Sequence, residues 1–107
     1  MIALSRAAER DIDALLERYF KCERPLAAKG LLGSINQSAG RIESSPDSGL
    51  PAPRPYPALA RPDRRWLKQG AYWIAYTTDH PPIIDAIFHE RADIPGRFRA
   101  AGEPDGT

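Results

Sequence analysis

An α+β fold, ordered as an N-terminal strand, a helical hairpin and a three-stranded antiparallel meander, is what this sequence predicts. Three observations carry the prediction. Apolar residues recur at helical spacing between Ala8 and Ile42, the pattern changes to strand-like alternation after Arg64, and a Pro-rich stretch divides the two regimes. Helices that follow one strand and precede a meander place the helical pair on one face of a small antiparallel sheet.

The elements follow in order. Ile2 to Leu4 is a short apolar strand, and Ser5 behind it is suited to cap a helix by accepting a backbone N–H bond. Ala8, Ile12, Leu15, Leu16, Tyr19 and Phe20 form the apolar stripe of that first helix, with Glu9, Arg10, Asp13, Glu17 and Arg18 on its other side. Pro25 fits the first turn of a second helix, where its missing N–H is harmless. That helix carries the stripe Ala28, Leu31, Leu32, Ile35, Ala39 and Ile42. Gly30, Gly33 and Gly40 interrupt it at about 1 kcal/mol each against Ala, so packing must hold it. Gly30 and Gly33 are read first as points of close approach to the neighbouring helix, with a shallow groove for a partner chain as the alternative. Residues 44–62 are rich in Pro, Ser and Gly, which disfavours regular helix or a central strand and predicts a stiff loop lying along its own domain. Beyond it, Arg65 to Lys68, a Gln69-Gly70 turn and Tyr72 to Thr77 read as a hairpin. Asp79 to Pro82 forms a second turn, and Ile83 to His89 a last strand.

At 107 residues the chain fits one domain over residues 1–97, followed by a tail at 98–107. Cys22 is the only cysteine, which excludes an internal disulfide and a cysteine-based zinc site. It is read as a small apolar residue near the helix turn. The two histidines lack ligand spacing, so no metal is expected, and nothing calls for another cofactor. No apolar run approaches the ~20 residues of a membrane span, and the N-terminal segment does not read as a signal peptide, so the expected compartment is the cytoplasm and no membrane partner is expected. A net charge of +1 hides an uneven distribution. Arg54, Arg61, Arg64, Arg65 and Lys68 stand against Asp63 alone, and Arg91, Arg97 and Arg99 against Asp93, a pattern suited to phosphate or to an acidic protein surface.

Three clusters in this order resemble a known family. Leu4-Ser5-Arg6-Ala7-Ala8-Glu9-Arg10-Asp11-Ile12 is similar to a strand exit and helix opening of the Ser-x-x-Ala-x-x-Asp-Leu type, matched at Ser5, Ala8, Asp11 and Ile12. Arg64 to Tyr76 looks like an arginine-bearing strand, a Gly turn and a Tyr-x-x-x-Tyr strand. Ile87-Phe88-His89-Glu90-Arg91-Ala92-Asp93 resembles a Val-Leu-His-Gly-Arg-Arg-Asp ending, with Glu90 and Ala92 departing from it. Together they resemble the RelE/ParE superfamily of type II toxin–antitoxin toxins, over roughly residues 2–97. The resemblance implies a small toxin neutralised by a cognate, ParD-like antitoxin in a hetero-oligomer. ParE-like members act on DNA gyrase, whereas RelE-like members cleave messenger RNA on the ribosome.

The two activities need different chemistry. RNA cleavage by 2′-hydroxyl attack requires a base, cations at the phosphate and an acid at the leaving oxygen. His89 or Glu90 with Arg65 and Arg91 are the residues that would supply them. The segment after the last strand reads Arg97-Phe98-Arg99, and Phe98 has no proton to give, which favours the ParE-like reading. His89 is read first as a structural histidine, with Ile83, Asp85 and Ile87 as its neighbours on one strand face and a hydrogen bond to backbone or to Asp93. His80, in a Pro-flanked turn, is expected at the surface. Tyr72, Tyr76, Trp66 and Trp73 are read as core aromatics. For a gyrase-directed toxin the target contacts are Arg64, Arg65, Arg91 and Arg97. An antitoxin segment would lie in a groove beside Leu15, Leu16, Tyr19, Leu31 and Ile35. A third reading, a non-toxic interaction module, would use the Pro-rich segment Pro51 to Pro57 as a polyproline II ligand.

Overall fold

The computed structural model describes residues 2–54 and 56–92. The order is β1 (Ala3–Leu4), α1 (Arg6–Lys21), α2 (Pro25–Ser44), β2 (Arg64–Gln69), β3 (Tyr72–Thr77) and β4 (Ile83–His89). Two short 3₁₀ turns, Pro46–Ser48 and Pro57–Leu59, punctuate the Pro-rich connection. The sheet is mixed rather than purely antiparallel, in the order β1-β4-β3-β2. β2, β3 and β4 form the expected meander, but β1 runs parallel to β4, with Ala3 opposite Ile83. The intervening helical hairpin makes this geometry possible, since a parallel neighbour requires a long crossover connection.

Ser5 joins β1 to α1 and to the sheet. Its hydroxyl accepts from Ala8 N–H at 3.1 Å and donates to the Asp85 carbonyl at 3.2 Å, while its own N–H donates to the Ile84 carbonyl at 2.9 Å. α1 ends in a tight reversal. Glu23 N–H donates to Phe20 O and Arg24 N–H to Tyr19 O, the paired bonds of a Schellman motif, and Glu23 adopts φ +52° where glycine is the usual choice. α2 then begins at Pro25 with no side-chain cap.

Both sheet faces are covered. On one, Ala8, Ile12, Tyr19, Ala28, Leu31 and Ile42 of the helices pack against Leu67, Tyr72, Ile74, Tyr76, Ile84 and Ile87. On the other, Trp66, Trp73, Ala75, Ala86 and Phe88 form a second cluster covered by Leu50, Tyr56 and Leu59 of the Pro-rich connection. Trp66 and Phe88 stack with ring centroids 6.3 Å apart. Leu50 also pairs with Trp66 through two backbone bonds of 2.7 Å, and Ala52 and Pro53 are buried. The Pro-rich stretch therefore acts as a third layer and blunts the outer edge of β2. With both faces covered, every residue from Tyr72 to Tyr76 is buried.

Three sequence expectations change. The β3–β4 register shifts between Ala75 and Tyr76, so that Ile87 faces Ile74 and Ile84 faces Tyr76. The extra residue is Asp85, and this bulge puts Ile84, rather than Ile83 and Asp85, on the helix-side face with Ile87. A Cβ built on Gly30, Gly33 or Gly40 meets nothing within 4 Å, so these glycines face open space and mediate no helix contact. Phe20 and Leu32, assigned to buried stripes, are 63% and 48% exposed, and Leu26 is 81% exposed. The helices turn a narrower face to the sheet than their apolar residues allow.

Candidate functional site

A groove of about 730 Å³ opens between the C-terminal half of α1, the N-terminal half of α2 and the end of the sheet where β3 begins and β4 finishes. This volume lies within the range of small-ligand sites. Ala14, Leu15 and Ala27 supply aliphatic wall, and Tyr19 and Tyr72 lie deeper. Arg18, Arg24, Arg91 and His89 supply cationic and polar groups.

Local folding explains each position. Arg18 lies three residues beyond Leu15 and four beyond Ala14, hence on the same helical face. Arg24 is placed by the Schellman reversal, and its guanidinium lies 5.7 Å from the Tyr19 ring centroid. Tyr19 and Tyr72 share a hydrogen bond of 2.5 Å between their hydroxyls. Burial, and then this bond, raise the Tyr72 pKa well above the ordinary tyrosine value. Tyr72 pairs with His89 across the β3–β4 ladder, and their rings meet edge to face at 5.6 Å. His89 Nδ1 accepts from the Arg91 backbone N–H at 3.2 Å, which puts the ring proton of the neutral imidazole on Nε2. Asp11 is the acidic lining residue, and its Oδ2 accepts from Ile87 N–H at 3.1 Å, tying α1 to β4.

The expected site residues separate. Arg64, proposed to touch a target, has a side chain only 11% exposed and is held by Asp85 at 3.1 Å, so it belongs to the fold. The bulge at Asp85 creates that partner, which sequence alternation does not reveal. Arg65 faces Tyr76 and His89 faces Tyr72. Those registers lie four residues apart along β3, about 13 Å, so Arg65 does not join His89 and Arg91. Glu90 is ion-paired with Lys68 at 2.7 Å, and this lysine lowers the carboxyl pKa. Arg91 lines the groove, whereas Arg97 lies outside the described residues, as do Asp93 and the tail at 98–107.

Of the residues expected to hold an antitoxin, Leu31 is fully buried and Tyr19 nearly so, because both complete the helix–sheet core. Leu16 and Ile35 are partly buried against that core. Leu15 is partly buried and lines the groove, and Tyr19 forms part of its floor. Cys22 caps the end of α1 at the helix turn, as expected, and is exposed at the groove rim. His80 is exposed, as expected. Sequence reasoning missed Arg18, Arg24 and Ser34 as lining residues, although the spacing of Arg18 from Leu15 carried the signal. Compared with known proteins, the chain is matched by no family model and by no curated protein.

Proposed function

We propose that this chain is a RelE/ParE-like toxin of a type II toxin–antitoxin system, closer to ParE, that inhibits DNA gyrase by binding. The family reading rests on the three sequence clusters, whose residues also serve as joints of the α+β fold. Ser5 caps α1 and ties it to β4, Asp11 fastens α1 to Ile87, and Gly70 turns the β2–β3 hairpin at φ +58°.

The observation that favours binding over cleavage is that the four candidates do not converge: His89 and Arg91 line the groove, whereas Glu90 and Arg65 do not. Glu90 is committed to Lys68, His89 Nδ1 is occupied by a backbone N–H, and Arg65 lies further along the sheet. A phosphodiester cleavage site needs base, cation and acid around one scissile bond. The Pro-rich module reading is disfavoured by Pro53, whose side chain is fully buried. Arg65 and Arg91 remain the target-contact candidates among the described residues, and Leu15 beside the groove remains the antitoxin candidate. A ParD-like segment there would meet aliphatic walls and a cationic rim.

The test is supercoiling by purified gyrase with added protein, run beside primer extension on translated messenger RNA. The expected result is lost supercoiling with unchanged transcript ends. New transcript ends with normal supercoiling would replace this reading with the endoribonuclease.

A further inference from the structure

We propose that the groove between α1, α2 and the sheet end binds a phosphorylated small molecule, with the phosphate held by Arg18, Arg24 and Arg91. The inference requires only the groove and stands apart from the toxin reading.

Charge is the first argument. Among the described residues, no side chain of Arg18, Arg24 or Arg91 is ion-paired with a carboxylate. Asp11, the acidic residue of the lining, turns one carboxylate oxygen to the Ile87 N–H. Guanidinium forks match the geometry of phosphate oxygens, and several unpaired forks in one concavity favour a dianion over a single carboxylate.

Hydrogen-bond donors are the second. Tyr19 and Tyr72 are both more than nine-tenths buried, and one hydroxyl donates to the other. The accepting hydroxyl keeps a hydrogen for which the described residues provide no acceptor, and both tyrosines line the groove. A ligand oxygen would complete the pair. His89 adds a directed donor, because its Nδ1 receives the Arg91 N–H and its proton is therefore on Nε2.

Space is the third. The groove exceeds what a bare phosphate fills, and Ala14, Leu15 and Ala27 offer aliphatic wall to the remainder of the molecule. Its tyrosines are buried and present no open ring face for a base to stack on. Affinity should therefore reside in the phosphate, with a similar response to pyrophosphate and to a nucleoside diphosphate.

The experiment titrates the full-length protein with pyrophosphate, ADP and a single-stranded RNA oligonucleotide by calorimetry, with the His89 and Tyr72 ring resonances followed by NMR. Pyrophosphate and ADP should saturate with Kd below about 1 mM and shift both rings. Arg18→Gln and Arg91→Gln should each weaken binding about tenfold, and Arg10→Gln, on the exposed side of α1, should leave it unchanged. Absence of saturation by pyrophosphate and ADP, or equal affinity in the Arg18 and Arg91 variants, would overturn the proposal. So would RNA binding that neither small phosphate displaces, since the ligand would then be a nucleic-acid backbone.

Discussion

The same substitution, glycine to alanine, should have opposite effects at two positions. A Cβ on Gly49 falls within collision distance of the Tyr76 hydroxyl and also 2.9 Å from Tyr76 Cζ and Arg65 Cβ. The Tyr76 hydroxyl is anchored by donation to the Pro46 carbonyl at 2.9 Å, so it cannot swing away without losing that bond. Overpacking costs about 1–3 kcal/mol and the lost hydrogen bond about 1 kcal/mol, against an unfolded-chain benefit of about 0.4–1 kcal/mol for replacing glycine. Gly49→Ala should therefore destabilise the fold by about 2 kcal/mol. Gly40, within α2, has nothing within 4 Å of its Cβ position, so Gly40→Ala should stabilise by about 1 kcal/mol from helix propensity alone. Urea denaturation monitored by far-UV circular dichroism measures both, with midpoints moving in opposite directions at constant slope. In a double-mutant cycle, Tyr76→Phe should relieve part of the Gly49→Ala cost by removing the nearest colliding atom. A neutral Gly49→Ala with an unaltered Tyr76 environment would refute the packing of the Pro-rich layer on the sheet.

Other consequences can be checked in the same assay. Trp66→Ala should cost about 3–5 kcal/mol, because the ring is fully buried between the sheet and the loop. Glu23→Gly should stabilise by up to about 1 kcal/mol by relieving the left-handed backbone at the end of α1. The Tyr72 and Tyr76 pKa values are both raised by burial, so the unfolded chain loses these protons first as pH rises. Their contribution should be intact below about pH 10, the ordinary tyrosine pKa, and decline above it, with Tyr72→Phe reducing the slope of stability against pH there.

Much of this architecture is legible in the residues. Ser5 announces the start of α1 by its capping hydroxyl, Pro25 the start of α2, and Gly70 the hairpin turn, because each has a local physical role independent of the rest of the chain. What was hidden depends on long-range register. The bulge at Asp85 reverses strand parity and gives the nearly buried Arg64 an ion-pair partner, and alternation alone predicts neither. The parallel pairing of β1 with β4 is likewise a long-range contact that no local pattern reports. The groove was only half visible, since Leu15 and Tyr19 mark its apolar side. Arg18 enters it on the helical face it shares with Ala14 and Leu15, and Arg24 through the Schellman reversal at Glu23. Close approach is one use of glycine and an open groove another, and only packing distinguishes them: Gly30 meets no neighbour and lines the groove.

The most direct test of action by binding is supercoiling inhibition measured with the wild-type protein, Glu90→Gln and Arg91→Gln. Wild type and Glu90→Gln should inhibit gyrase equally, because the Glu90 carboxylate serves its ion pair with Lys68, and Arg91→Gln should lose most of the inhibition. Gyrase unaffected by the wild-type protein, together with messenger RNA cleavage that disappears in Glu90→Gln, would contradict it.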